Sequence, residues 1–468
     1  DLGAAIREFK RIKKHRLSGE VVSALSSLEP TLSSFEGIYT TCRAADMSFP
    51  DFEVDGKTYP LSFVLYENSY QYNPDHKLRH AAFKGFSKVL NQYKNTVAAN
   101  YYAQVSKEKN MATLRGYDSV FDYLLDDQEV PREFFDRQID VIIEKLGPVM
   151  QKYVKLIQKE RGLDKLTFSD LQIDLDPEFA PKVPLDKAPE YISDAIKILG
   201  PKYHDMIMKC FDERWVDFPA NKGKETGGFE TTPYGKHAYI LMSWTDEMAD
   251  VYTLVHELGH AGQEMLTNKT NHPLSCGVST YIVEAPSTFN ELLLTHALEE
   301  KSSDKRMQRF ALTKMLPNTY YHNFVTHLLE AAFQREVYKL IDNGEGFDGD
   351  RLCEIKKAVL KKFWGDAVEI DDDAALTWMR QSHYCMGLYP YTYSASLTIS
   401  TQAYLKIKEQ GQPAIDAWLK FLKFDNCPAP IEAAKIAGVD ITTDEPLKNT
   451  IKFMYENVDK IAELTKDL

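Results

Sequence analysis

A chain of 468 residues, 44% hydrophobic and 27% charged, carries enough apolar material for one large or two closely packed globular domains. A net charge of −13 argues against a nucleic-acid partner, which needs a basic face, and the one basic run, Lys10 to Arg16, is read as a solvated helix face. There is no run of about eighteen apolar residues and no charged-then-apolar leader, so no membrane partner is expected.

The six cysteines, Cys42, Cys210, Cys276, Cys353, Cys385 and Cys427, include no Cys-x-x-Cys pair. They read as buried thiols of a reducing compartment and point to the cytoplasm.

From Asp1 to about Gly162 apolar residues recur at three and four spacings, as in Phe134, Ile139, Ile142, Ile143 and Leu146, which predicts stacked helices. Asn73-Pro74-Asp75 predicts a turn and helix start, and Val130-Pro131 another, with the proline in the first turn. The alternating, proline-bounded stretch 48–65 predicts a short hairpin. Between Leu163 and Pro189 periodicity fades and Pro177, Pro181, Pro184 and Pro189 cluster, as in a long connection between two lobes.

His237 to Trp244 is then the best strand candidate, expected to lie at a sheet edge. A helix follows it directly, with Thr245 as its cap and Val251, Leu254, Val255 and Leu258 as its apolar stripe. From Arg351 to Leu468 the pattern is again mostly helical.

On that helix lies His256-Glu257-Leu258-Gly259-His260. Histidines four apart share one helical face and can bind one zinc ion, while Glu257 sits beside the metal without ligating it, where it can take a proton from the attacking water. Such a motif would arise by chance in roughly two chains of this size per hundred, so its surroundings matter. Gly259 costs a helix about 1 kcal/mol relative to alanine, a loss that predicts close approach of another backbone.

A third ligand is available from Glu284 or Glu291, seven residues apart and on one helical face if Pro286 falls in an early turn; the other acid would hold a ligand histidine by its free ring nitrogen. His76 and His80 repeat the histidine spacing but with Lys77 and Arg79 between them, so the segment lacks the base and repels a cation.

Taken in order, His256 to His260, then Val283-Glu284-Ala285-Pro286-Ser287-Thr288-Phe289-Asn290-Glu291, then His383 to Tyr393 with Tyr389 and Tyr391 between, resemble the oligoendopeptidase F family and, more distantly, thimet oligopeptidase. Glu213 to Asp217, Lys224 to Phe229 and Ala437 to Asp440 add to the likeness.

The resemblance implies a mainly α fold, with two helical lobes about a deep substrate channel and a small β-sheet next to the zinc helix. The expected lobes are 1–165, incomplete at its start because relatives extend further, and 166–468, carrying the catalysis. It implies one zinc ion per chain on His256, His260 and Glu284, with Glu257 as general base. His383 and Tyr391 are expected to face the substrate carbonyl, with Tyr389, Tyr393 and Gly259 lining the substrate. Gln263 stands where many relatives have a further histidine.

The expected activity is a metalloendopeptidase acting on short unfolded peptides. Two rivals are a metal-dependent carboxypeptidase, which needs a cationic grip on the peptide's terminal carboxylate, and a catalytically silent zinc-containing peptide binder, for which Glu257 would have no use.

Overall fold

The computed structural model describes residues 2–219, 221, 224, 227–275 and 277–468. Glu225 and Thr226, part of the family-like stretch before the sheet, and Cys276 lie outside the described residues.

The hairpin forms as its pattern predicts. Strands β1 (Phe52–Val54) and β2 (Lys57–Tyr59) pair antiparallel with Phe52 opposite Tyr59, and Asp55 and Gly56 take the positive φ values, 47° and 75°, of a tight two-residue turn.

Asp75 then caps the longest helix, His76–Leu114, by accepting hydrogen bonds from the Lys77 and Leu78 amides at 2.9 and 3.4 Å. Arg79 on this helix makes a fully buried ion pair with Asp170, and His80 Nε2 lies 2.7 Å from the same carboxylate. His80 is thus part of a clamp, with Arg79, on the 163–189 connection, which among the described residues holds only short helical turns before the helix Ala188–Ile196. Pro131 occupies the cap of the helix Arg132–Val141 instead of its first turn.

The strand expected over 237–244 is shorter and differently placed. Strand β5 (Tyr239–Leu241) is central, parallel to β3 (Val216–Asp217) on one side and antiparallel to β4 (Phe229–Thr231) on the other. The edge nearest the motif therefore belongs to β4, a strand too short and too close to glycines for alternation to reveal it. Thr245 is not the helix cap either. Its amide and hydroxyl donate to Asp250, while Glu247 and Asp250 form a capping box for the motif helix, Met248–Thr270.

Val251, Leu254, Val255 and Leu258 are fully buried. Much of the surface they help to cover belongs to the glutamate helix, Ala285–Lys301, the most extensive helix partner of the motif helix. The glutamate helix packs in turn on the tyrosine helix, Pro390–Gln410. Buried apolar residues form one connected core from Tyr39 to Leu464, so the first third of the chain packs against the rest. The fold is mainly helical with a small sheet, as expected. No helix among the described residues is long and apolar enough to cross a membrane.

Candidate active site

Glycine at 259 is what lets the two central helices meet. A Cβ there would lie 2.5 Å from Ser287 Cα and closer still to the Pro286 carbonyl oxygen, so any larger residue would push the glutamate helix away. Gly259 is therefore a packing residue facing the glutamate helix, which corrects the expectation that it lines the substrate. Its helix-propensity cost is offset by that close approach.

The contact puts Glu284, at the N-cap of the glutamate helix with Pro286 in the first turn, over the two histidines. Glu284 Oε2 lies 3.4 Å from His256 Nε2 and 3.3 Å from His260 Nε2. Donor atoms bound tetrahedrally at about 2.0–2.1 Å stand about 3.3 Å apart, so the Glu284 oxygen stands from each histidine nitrogen at the spacing of a zinc ligand set. The two histidine side chains remain 25% and 15% exposed while Glu284 is buried, so the trio is open on one side.

Electrostatics keeps Glu284 ionised here. Burial alone would raise the Glu284 carboxyl, yet the charge of His260 and the hydrogen bonds of both histidines hold it well below the usual carboxylate range.

Glu291, seven residues on, accepts a hydrogen bond from His256 Nδ1 at 2.6 Å and another from the Thr319 hydroxyl. The first bond holds a proton on Nδ1 and orients the ring with Nε2 toward Glu284, the nitrogen that would ligate a metal on losing its own proton. Ser287 Oγ donates to Glu284 Oε2 at 2.9 Å, and Tyr389 OH to Glu284 Oε1 at 3.1 Å. Thr319 and Ser287 had no signature in the sequence, because a single hydroxyl in a helix is usually a local backbone partner.

Glu257 is buried on the side of the sheet edge. Gly228, the residue before β4, sits so close that a Cβ would fall 3.0 Å from Glu257 Cδ and 2.7 Å from Thr253 Cγ2. Burial pushes the Glu257 carboxyl up, against the opposing pull of His256 and His260.

The segment from His383 to Tyr393, here the aromatic loop, which runs into the tyrosine helix, is arranged differently from expectation. Tyr391 is fully buried, its ring edge-on to Phe135 at 4.9 Å, and its hydroxyl donates to Gln128 Oε1 at 2.6 Å. Gln128 also donates to the Leu388 carbonyl at 3.0 Å, and its own carbonyl accepts from Ser279 Oγ at 2.8 Å. Tyr391 is thus a tie between the aromatic loop and the strand of chain leading to Glu284, which corrects its expected role at the substrate carbonyl. Alternating residues point the other way: Tyr389 and Tyr393 pack at 5.0 Å, each with its ring 5.7 Å from that of His383. The structure brings His256, His260, Glu284, Glu257 and Tyr389 together, with Tyr393 and His383 adjoining.

An imidazole pair and a carboxylate on a helical scaffold, with a buried glutamate between them and a sheet edge, define a metallopeptidase. Comparison with known proteins assigns it further: the sequence profile of peptidase family M3 matches residues 69–453, and the chain belongs to that family. It is accordingly a metalloendopeptidase.

The oligopeptidase PepF of Bacillus subtilis is 29% identical over 462 residues, covering 98% of this chain and 68% of the relative. An oligoendopeptidase F homolog of Borreliella burgdorferi is 27% identical, covering 99% and 78%. The crystal structure of oligoendopeptidase-F from Enterococcus faecium superposes with a TM-score of 0.79 at 23% identity, covering 99% of this chain and 78% of that one, which shows the shared fold.

Proposed function

We propose that this protein is a zinc-dependent endopeptidase cutting internal bonds of short, unfolded oligopeptides. One zinc ion per chain is held by His256 Nε2, His260 Nε2 and Glu284, and Glu257 is the general base. The observation that carries the reading is the convergence of those three donor atoms at 3.3 and 3.4 Å beside a buried glutamate that does not belong to the trio. When bound, zinc supplies Lewis-acid polarisation of the scissile carbonyl and makes a water acidic enough to attack near neutral pH.

The chain's own residues do the rest. An extended peptide pairs with the free edge of β4, which lays its backbone past Glu257. Glu257 takes a proton from the attacking water and passes it to the leaving amine, a transfer worth about 10²–10⁴ in rate. The carbonyl oxygen, as it gains charge, is met by Tyr389 or Tyr393 with His383 alongside; removal of one such donor costs about 10²–10³.

Residues 1–165 act as a helical lobe closing a channel over the catalytic span 166–468, a geometry that admits peptides and excludes folded proteins. The names of the relatives, oligopeptidase and oligoendopeptidase, support the substrate class, and six scattered cysteines with no Cys-x-x-Cys pair in the sequence support a cytoplasmic setting.

A peptide amidated at its C-terminus, digested and read by mass spectrometry, tests the reading against a carboxypeptidase. Internal fragments are expected. Removal of single residues from a free C-terminus, with the amidated peptide left intact, would overturn the reading, and no cleavage by zinc-loaded protein would favour a silent peptide binder.

A further inference from the structure

Behind the aromatic loop lies a second cluster with the same kinds of donor. His327 and Glu330 stand one turn apart at the start of the helix His327–Asp342 and are 1% and 2% exposed. His327 Nδ1 is 2.8 Å from Glu330 Oε2, and His383 Nδ1 is 3.8 Å from the same oxygen. One donor atom from each of His327, Glu330 and His383 lies within 4.8 Å of the other two, the same span that encloses donor atoms of His256, His260 and Glu284. His383 Nδ1 is buried and makes no hydrogen bond. The other nitrogen of His327, Nε2, lies 3.0 Å from His322 Nε2.

We propose that His327 Nδ1, Glu330 Oε2 and His383 Nδ1 form a second binding site, separate from the catalytic trio, for a divalent first-row transition cation of the zinc or cobalt class.

Two imidazoles and a carboxylate suit such an ion and are poor ligands for magnesium or calcium, which take oxygen. The distances of 2.8 and 3.8 Å straddle the spacing of about 3.3 Å in a tetrahedral set, so small side-chain shifts close the geometry. A bound cation gives His383 Nδ1, buried and without a hydrogen bond, a partner. It also needs the His327 proton on Nε2, where His322 is placed to accept it, the arrangement by which a neighbour orients a ligating histidine.

The helix supplying His327 and Glu330 follows directly on a wide, π-type stretch, Leu316–Thr326, which carries His322 and also Thr319 of the catalytic site; such stretches are frequent at functional sites. The two sites are neighbours and share no ligand. Tyr389 separates them, its hydroxyl on Glu284 and its ring against His383.

The test is uptake of cobalt(II) by the metal-stripped full chain, measured by equilibrium dialysis with metal analysis. The wild type is expected to bind two equivalents, the second more weakly. Glu330→Gln and His327→Gln should each bind one, while His256→Ala, impaired at the catalytic trio, should keep the second. Saturation of the wild type at one equivalent would overturn the proposal whatever the variants do. Retention of two equivalents by both Glu330→Gln and His327→Gln would overturn it as well, by placing the extra ion elsewhere on the surface. Melting curves identify any variant that does not fold, and the other then carries the comparison.

Discussion

At the scale of single residues, the tyrosines separate a positioning group from groups that can meet substrate. Tyr391→Phe removes one hydrogen bond to Gln128 and leaves a buried amide oxygen unpaired, at a cost of about 1–3 kcal/mol. The expected result is a melting temperature lower by roughly 1–3 °C with turnover within about twofold of wild type. Tyr393→Phe and Tyr389→Phe should show the opposite pattern. At least one should lose about 10²–10³ in kcat at nearly unchanged stability. Steady-state kinetics and melting curves on the three variants check both halves, and a large kcat loss in Tyr391→Phe alone would restore the role read from sequence.

Gly228 gives a second residue-scale prediction. The atoms an alanine methyl would meet first are the end of the Glu257 side chain and the Thr253 methyl, and both can move. Gly228→Ala should fold normally but displace the carboxylate by the order of an ångström, a shift that costs about 10²-fold in rate. Unchanged kcat would show that Glu257 does not depend on its place beside β4.

At the scale of elements, the crossing of the motif and glutamate helices is the structural event that makes the site. Gly259→Ala meets backbone, at Pro286 and Ser287, and backbone has nowhere to go. The variant is expected to lose about 1–3 kcal/mol to overpacking and to bind zinc more weakly, because Glu284 moves with the displaced helix. A melting curve together with a zinc-chelator competition checks this. Wild-type zinc affinity in a folded Gly259→Ala protein would contradict the link between the crossing and the ligand set.

This crossing also shows what was legible beforehand. The placement of His256 and His260 on one face, the buried stripe beneath them and the close approach at Gly259 all follow from local periodicity and glycine's cost. The pairing of Glu284 over the histidines and Glu291 behind His256 was open in the residues alone, where either acid fitted either place, and only the start of the glutamate helix at Ala285 separates them. The sheet order was not legible, since strands of two or three residues carry too little alternation to register. The choice among Tyr389, Tyr391 and Tyr393 was equally hidden. It depends on which residues of a helical turn face Gln128, a partner more than 250 residues away.

At the scale of the whole molecule, the buried core that joins the first third of the chain to the rest contains an acid away from the active site. Glu108 on the long helix accepts hydrogen bonds from Tyr338 OH and from Gln104 Nε2, the latter at 2.8 Å. Burial outweighs those bonds and pushes its carboxyl up from 4.5 to about 7.

Between those two values the folded protein holds a proton that the unfolded chain has lost. Stability should therefore fall as pH rises through that window, by up to about 3 kcal/mol, and level off above it. Glu108→Gln keeps the shape without the charge. Its melting temperature should vary less between pH 5 and pH 8 and exceed that of the wild type at pH 8 by roughly 2–3 °C. A wild-type pH slope in the variant would assign the dependence to other groups.

The central claim, a metal-dependent cut at an internal bond with Glu257 moving the proton, is tested most directly on a fluorescence-quenched peptide of about ten residues blocked at both ends. Wild type and Glu257→Gln are loaded to the same measured zinc content and assayed with and without a chelator. The account predicts internal cleavage by the wild type, its loss on chelation, and a fall of about 10²–10⁴ in Glu257→Gln at full zinc occupancy. Equal turnover by the two proteins, or turnover that survives removal of the metal, would contradict it.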